Sequence, residues 1–270
     1  MDRDTRPPAP SHDALVLMYH AVPPAGQADG RADPHYSVAL REFVGHLDLM
    51  AGLGLRPRSV RDLLDEAPRH GECPVALTFD DGHESNFAAY AEIARRGGSA
   101  DLFVNPSTVG TRGYLSWPQL RELARHGASI QSHGHHHVSL DALSPREAEY
   151  ELAVSRRRIE DELGAPAVLL APPNGRMSPD LPRRARLLGY RAVCSSRVGL
   201  WRDARPLEIP RLAVLAGTSR RSLQGWLTRS PWALARLRAR GVALDAGKRV
   251  LGDGRYRAMR EALLAWTGRA

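Results

Sequence analysis

Short apolar segments alternate with helical segments six or seven times along this chain, and this alternation constrains the fold more than any other feature. Residues 14–19 and 75–79 are continuous apolar runs, typical of strands that are buried on both faces. Helix signals lie between and after such runs, the clearest being residues 144–147, with an N-cap serine, a first-turn proline and a reciprocal glutamate. The alternation predicts a parallel sheet in a distorted (β/α) barrel.

Strands are expected near residues 14–19, 75–79, 102–104, 128–130, 168–170, 191–195 and 208–214. Helices are expected at 84–96, 116–127, 144–163 and 180–188, and around Phe43, Leu47 and Met50.

Composition divides the chain into three parts. Residues 1–12 are rich in proline and predict a flexible lead, whereas residues 13–230 hold the alternating elements of one α/β domain. Residues 231–270 contain two basic amphipathic stretches and predict a C-terminal helical extension.

Positive charge is concentrated at the C-terminal end. Residues 201–270 contain 15 of the 38 Lys and Arg residues but only 5 of the 30 Asp and Glu residues, so the main body is close to neutral. A basic end either contacts phosphate-bearing partners, such as nucleic acid or an anionic membrane surface, or is a solvated face. The near-neutral main body argues against a nucleic-acid-binding protein.

No apolar run reaches 18 residues, and 25% of the 270 residues are charged, which argues against a transmembrane helix and against general disorder. The first residues lack the apolar segment of a secretory signal, so we expect a cytoplasmic protein. Cys73 and Cys194 are far apart and outside C-x-x-C spacing. We therefore expect no disulfide and no thiolate zinc site, with both cysteines buried.

Polar residues suited to chemistry fall where the predicted strands end. They are His20, Asp80, Asp81, residues 132–137 and residues 172–174. Because the carboxyl ends of parallel strands meet on one face of a barrel, where active sites are built, we expect these residues to lie together.

Asp80 and Asp81 place two carboxylates at the mouth of one strand. Like charges this close are costly unless a cation or a shared proton relieves them. Adjacent side chains point in different directions, so one carboxylate can bind a metal while the other faces substrate. The alternative interpretation is a turn, because Asp-Asp-Gly also suits a turn.

His133 and His137 have the i, i+4 spacing that, in one helical turn, directs two imidazoles at one metal ion. Two histidines and one aspartate leave a coordination position open, as catalytic metal sites do. Spacing alone does not exclude His135 or His136 as ligands, and a solvated histidine loop is the alternative.

His20 ends the first predicted strand. By itself such a histidine is more often a core residue, but one that titrates near neutral pH opposite a carboxylate base can protonate a leaving group. No histidine follows His137, so a histidine acid lies upstream of it or within the cluster.

Four segments together resemble the polysaccharide deacetylase family, the NodB-homology group of metal-dependent carbohydrate esterases. They are Val75–Gly82, Gly113–Trp117, Ser132–Leu140 and Ala171–Gly175, within a similarity that covers roughly residues 14–215. The resemblance implies a distorted (β/α) barrel, a divalent metal and hydrolytic removal of acetyl groups from N-acetylated sugars.

The resemblance also implies roles for individual residues. Asp80 is the general base, and a water on the metal attacks the acetyl carbonyl. A backbone N–H near Pro173 and Asn174 helps to hold the oxyanion. Histidine and carboxylate ligands suit zinc, which we expect, with cobalt or nickel as alternatives. The implied metal ligands are Asp81, His133 and His137.

The chain departs from the family pattern in two places. Ala171 stands where many members carry an arginine, and the histidine acid that many members carry near the C-terminus is missing. Residues 15–20, L-V-L-M-Y-H, resemble a circularly permuted branch whose histidine lies at the N-terminus, and which includes enzymes acting on poly-N-acetylglucosamine and exopolysaccharides. We therefore assign the acid role to His20 and leave the role of His83 open.

The sequence thus predicts a metal-dependent hydrolase that removes N-acetyl groups from a polysaccharide or a lipid-linked glycan precursor. The alternative is a catalytically silent carbohydrate-binding protein on the same scaffold, favoured by the two departures. The stretches 231–240 and 255–267 either pack on the parent domain or attach the chain to an anionic bilayer at the cytoplasmic face.

Overall fold

The computed structural model describes residues 13–24, 32–66, 68, 72–202, 206–237 and 239. The strands are β1 Leu15–Tyr19, β2 Pro57–Arg58, β3 Val75–Phe79, β4 Asp101–Val104, β5 Ser129–Ser132, β6 Leu169–Leu170, β7 Ala192–Ser195, β8 Glu208–Pro210 and β9 Leu212–Ala213. The α-helices are α1 Leu40–Gly52, α2 Val60–Asp65, α3 Asn86–Arg95, α4 Trp117–Arg125, α5 Pro145–Leu163, α6 Leu181–Leu187 and α7 Arg220–Leu227. Short 3-10 helices lie at Pro34–Tyr36, Leu140–Ala142 and Pro173–Gly175.

The strands form one parallel sheet in the order β8-β7-β6-β5-β4-β3-β1-β9, with β2 also paired to β3. Only Arg211 separates β8 from β9. Since β8 pairs with β7 while β9 pairs with β1, one extended segment joins the two ends of the sheet. The sheet is therefore nearly closed into a barrel, and the predicted fold class is confirmed.

The barrel is least regular between β5 and β6. Ser132 and Leu170 form the one register pair between these strands within the described residues. The buried side chain of Gln131 bridges the gap, because its Oε1 accepts the backbone N–H groups of Val168 and Leu169, both at 2.8 Å. An amide side chain thus takes over hydrogen bonds that a regular parallel ladder would make.

Alternation along the strands divides the apolar side chains between two clusters. Leu15 and Leu17 of β1 belong to the outer cluster, in which strand side chains pack against helix residues such as Phe43 of α1. Val16, between them, joins a second cluster inside the barrel that includes Phe103 and other alternate strand residues. The second cluster fills the barrel below its carboxyl end, so the polar groups at that end lie next to packed apolar side chains.

Two predicted helix starts are confirmed in detail. Ser116 forms a capping box with Gln119, and Ser144 forms one with Glu147. α5 ends at Gly164, which adopts the left-handed conformation that favours glycine after a helix. The helix expected from residue 84 begins later, at Asn86, because residues 83–85 form a turn held by a bridge between His83 and Tyr114.

Other expectations need correction. The strand expected at 208–214 is split at Arg211, because its two halves pair with different neighbours. The strand expected at 128–130 lies at Ser129–Ser132, which brings His133 directly beyond its end. The prediction that both cysteines are buried is wrong for Cys73, which is exposed. β2, α2 and α7 had no prediction.

The predicted lead at 1–12 and the stretch 255–267 lie outside the described residues. Residues 231–237 are helical; Leu234 and Leu237 pack against the outer cluster, whereas Trp232 is 85% exposed. Among the described helices, none combines the length and apolar character needed to cross a bilayer.

Candidate active site

Three metal-ligating side chains converge at the carboxyl end of the barrel. Oδ1 of Asp81, which follows β3, lies 3.2 Å from Nε2 of His133 and 3.1 Å from Nε2 of His137, both in the loop after β5. The three potential ligand atoms all lie within 4.8 Å of one another. Two imidazoles and one carboxylate form a donor set that catalytic zinc sites use, with a further position left for water.

The hydrogen bonding of His133 fits such a site. Its Nδ1 donates to the carbonyl oxygen of Ala171 at 2.8 Å, so in the neutral ring the Nε2 lone pair faces Asp81 and His137. The ring is 2% exposed and cannot turn away. Ala171, which replaces the expected arginine, thus contributes its backbone to the orientation of a predicted metal ligand.

The histidine pair is brought together by a loop. Residues 133–137 are not helical, and His137 adopts a left-handed conformation with φ 57°. Asp81 is left-handed too, with φ 71°. The expectation of one helical turn is wrong, although the two imidazoles do converge. Such backbone conformations are unfavourable for residues other than glycine and cluster at functional sites.

Asp80 forms a buried bidentate ion pair with Arg211. Nη1 lies 2.7 Å from Oδ1 and Nη2 lies 2.9 Å from Oδ2. Arg211 is 1% exposed, its guanidinium lies over the ring of Phe103 at 5.2 Å, and its Nη1 also donates to Oγ1 of Thr78 at 3.2 Å. The side chain enters the barrel because Arg211 is two residues after Ile209, on the same face of the extended segment.

The ion pair keeps Asp80 ionised. Burial by itself disfavours the carboxylate, but the guanidinium of Arg211, followed by the His133 ring, more than compensates and lowers the pKa of Asp80. Burial acts the same way on Asp81, but the facing imidazoles of His133 and His137, which hydrogen-bond the carboxylate when they carry a proton on Nε2, hold the pKa of Asp81 well below its usual range. Two carboxylates therefore stay charged side by side, each with its own cationic or hydrogen-bonding partner.

His20 lies beside this pair at the end of β1. Its ring packs against Tyr36 with the centroids 4.5 Å apart, and its Nδ1 is buried with no hydrogen-bond partner among the described residues. Burial lowers the pKa of His20, although the charges of Asp80 and Asp81 act in the opposite direction. The imidazole is thus held within the electrostatic field of the predicted base and metal ligand.

The start of α3 fixes the backbone around His20. Nδ2 of Asn86 donates to the carbonyl of His20 at 2.6 Å, and Oγ of Ser85 accepts the N–H of Val22 at 2.8 Å. His83 belongs to this framework, because its Nδ1 accepts the N–H of Ser85 at 3.1 Å. These contacts indicate that His83, whose role was left open, supports the loop after β1.

Asn174 lies at the third predicted location, after β6. It has φ 60° within the 3-10 helix Pro173–Gly175, and its side chain donates to Oγ of Ser139 at 3.0 Å. Pro173 packs against Gly134 of the histidine loop, where an added Cβ would lie 3.4 Å from the proline ring. The segment that carries the predicted oxyanion N–H is thus in contact with the loop that carries the predicted metal ligands.

Sequence reasoning missed Arg211, the residue that contacts Asp80 most closely. A signal was present, because an arginine in the middle of the apolar segment 208–214 is unusual for a strand that faces a core. It also missed Glu151, whose buried carboxylate contacts the histidine loop. Neither residue lies in a motif, so no local spacing pointed to them.

Comparison with known proteins identifies relatives of this chain. A family model described as polysaccharide deacetylase matches residues 68–193. The Bacillus subtilis (strain 168) protein YxkH, named as a polysaccharide deacetylase, is 27% identical over 209 residues, covering 76% of this chain and 72% of its own.

Solved structures share the fold. The Streptococcus pyogenes deacetylase PplD, in complex with acetate, has a TM-score of 0.70 and 23% identity over 80% of this chain and 97% of its own. IcaB from Ammonifex degensii has a TM-score of 0.68 and 24% identity over 82% of this chain and 97% of its own.

The barrel and the polar residues at its carboxyl end therefore define a carbohydrate deacetylase, which is a hydrolase. The resemblance inferred from the motifs is confirmed: residues 68–193 match the polysaccharide deacetylase family model, and the chain is similar to a curated polysaccharide deacetylase.

Proposed function

We propose that the protein is a metal-dependent deacetylase that removes N-acetyl groups from amino sugars of a polysaccharide or a lipid-linked glycan precursor. The observation that carries this proposal is the convergence of Asp81, His133 and His137 beside the buried Asp80–Arg211 pair. The donor set, the fixed tautomer of His133 and the match to the polysaccharide deacetylase family model all support a divalent ion such as zinc, cobalt or nickel.

Each remaining side chain then has a definite task. A bound divalent ion supplies Lewis acidity and lowers the pKa of a water ligand. Asp80, held ionised by Arg211, accepts the proton that the attacking water loses. Water oxygen bonds to the acetyl carbon, the carbon–nitrogen bond breaks, and His20 gives a proton to the departing sugar amine. The backbone N–H of Asn174 hydrogen-bonds the oxygen that becomes negative.

An open depression beside the histidine loop supports a substrate larger than one sugar. It has a volume of about 400 Å³, and it shares His136, the neighbour of His137, with that loop. Its lining includes Val138, Leu143 and the 59% exposed ring of Tyr150. Sugars present apolar C–H faces to such rings, and we assign the depression to a further unit of the same glycan.

The decisive experiment measures metal content and acetate release together. We expect the purified protein to bind about one divalent ion per chain and to release acetate from N-acetylglucosamine oligomers. Asp80→Asn should keep the ion but lose about 10²- to 10⁴-fold in turnover, the range for a general base. Asp81→Ala should lose both the ion and the activity. Asp180→Asn, at an exposed carboxylate that lies 3.8 Å from Arg184, serves as the matched control.

The outcomes separate the two functions predicted from the sequence. A protein that takes up no stoichiometric ion after incubation with zinc or cobalt, yet binds the oligomers, would be the silent carbohydrate-binding protein. Near-normal acetate release by Asp80→Asn would instead contradict the assignment of the base alone.

A further inference from the structure

Glu151 of α5 contacts the histidine loop at His135 and His136, between the two predicted histidine ligands. Its Oε2 accepts the backbone N–H groups of His135 and His136, each at 2.9 Å. Its Oε1 lies 2.6 Å from Nδ1 of His136, so the imidazole N–H donates to the carboxylate. Only 5% of Glu151 is exposed, and burial of a carboxylate is costly unless such hydrogen bonds compensate for lost water.

The carbonyl groups of the same loop are held from another element. Nδ2 of Asn105, after β4, donates to the carbonyl of Gly134 at 3.2 Å, and Ser107 donates to the carbonyl of His135 from its N–H at 3.2 Å and its hydroxyl at 2.7 Å. The residue before His137 is therefore fixed through its N–H by Glu151. No metal-ligating atom takes part in any of these contacts.

The two histidine ligands depend on the loop to different degrees. His133 follows β5 directly, its N–H bonds to the carbonyl of Val104 at 2.9 Å, and its ring is anchored to Ala171. His137 lies at the far end of the loop in a left-handed conformation, and its side chain is 38% exposed. The position of its imidazole is consequently set by the peptide groups that precede it.

We propose that Glu151 is a positioning residue for the metal centre, which holds the histidine loop so that His137 faces Asp81. The proposal rests on the proposed metal site and adds a residue outside the family motifs. Glu151 would act by fixing the backbone of the loop, because one of its carboxylate oxygens accepts two adjacent N–H groups. Partners of this kind around metal ligands typically change metal affinity by about 10- to 100-fold when removed.

The test is the affinity for Zn²⁺, measured by competition with a chromogenic chelator, and the visible spectrum of the Co²⁺ form. We expect Glu151→Ala to weaken Zn²⁺ binding by about 10- to 100-fold and to alter the Co²⁺ spectrum. Glu151→Gln keeps a carbonyl oxygen that can accept both N–H groups, so it should stay within about threefold of the native affinity. His136→Ala leaves those two bonds intact and should also stay within about threefold.

Ile159→Ala is the matched control for stability. Ile159 lies two turns further along α5 and is fully buried in the outer cluster, so the substitution lowers the unfolding midpoint without touching the loop. Three outcomes would each overturn the proposal. Glu151→Ala could bind Zn²⁺ with native affinity, Ile159→Ala could weaken Zn²⁺ binding as much as Glu151→Ala does, or Glu151→Gln could lose as much Zn²⁺ affinity as Glu151→Ala. A native protein that binds Zn²⁺ without releasing acetate would contradict the proposed function and leave the positioning role standing.

Discussion

At the scale of single residues, the buried pair of Asp80 and Arg211 determines the charge state of the site. The pKa of Asp80 is lowered because the guanidinium outweighs the cost of burial. The pair therefore stabilises the folded protein above the ordinary pKa of an aspartate, and this stabilisation is lost as the pH falls through the lowered value. Removal of either partner leaves an uncompensated charge inside the barrel.

Arg211→Met should raise the pKa of Asp80 and move the acidic limb of the kcat/KM profile to higher pH. It should also destabilise the fold by about 3–5 kcal/mol, the usual cost of breaking a buried pair. Denaturant unfolding and a pH–rate profile measure the two effects. Arg197→Met is the control, since Arg197 is exposed and its contact with Glu208 is 3.4 Å long. An unshifted acidic limb in Arg211→Met would show that Asp80 does not control it.

His20→Ala tests the acid. If His20 protonates the departing amine, kcat on an N-acetylated oligomer should fall by about 10²- to 10⁴-fold while metal content stays native. The same variant should hydrolyse 4-nitrophenyl acetate at close to the native rate, because nitrophenolate leaves without a proton. An unchanged amide rate would point to another acid, and equal losses on both substrates would indicate a role in binding or folding.

At the scale of elements, a buried carboxylate links β4 to α2 at the opposite end of the strand from the site. Asp101 is fully buried and accepts the N–H of Val60 at 2.5 Å and that of Arg61 at 3.4 Å, at the start of α2. Burial raises the pKa of Asp101 to about 7. The folded protein therefore holds a proton that the unfolded chain releases near pH 4, so this group's contribution to stability decreases as the pH rises to about 7.

Asp101→Asn should remove this pH dependence. The asparagine keeps a neutral carbonyl that accepts from α2, so the variant should lose less stability than the native protein between pH 5 and 8. Urea midpoints across that range give the comparison. Parallel curves for the two proteins would mean that Asp101 is ionised throughout and would contradict the raised pKa.

At the scale of the whole molecule, the barrel is completed by one extended segment, and the basic extension follows it. β8 and β9, on either side of Arg211, join the two ends of the sheet. The same segment that closes the barrel therefore also places the Arg211 guanidinium inside it. Helical residues 231–237 then return to the outer cluster through Leu234 and Leu237, which leaves Trp232 at the surface.

The membrane hypothesis predicts that the full chain sediments with anionic vesicles at low salt and is released at high salt. A chain that ends after residue 237 keeps the contacts with the core and should lose most of this binding. Sedimentation with neutral vesicles measures how much of the binding depends on charge, and Trp232→Ala measures how much depends on insertion of this side chain at the interface. Equal sedimentation of the full and shortened chains would contradict the hypothesis.

The sequence by itself predicted most of the strands and the two capped helix starts, because periodicity and capping are short-range properties. It also proposed the set Asp81, His133 and His137, through motifs that resemble a known family. Tertiary structure alone decided what those residues contact. Arg211 meets Asp80 across 131 positions, and Glu151 meets the histidine loop only because α5 packs on β5. Such contacts depend on barrel closure and helix packing, which bring together residues that no local pattern relates.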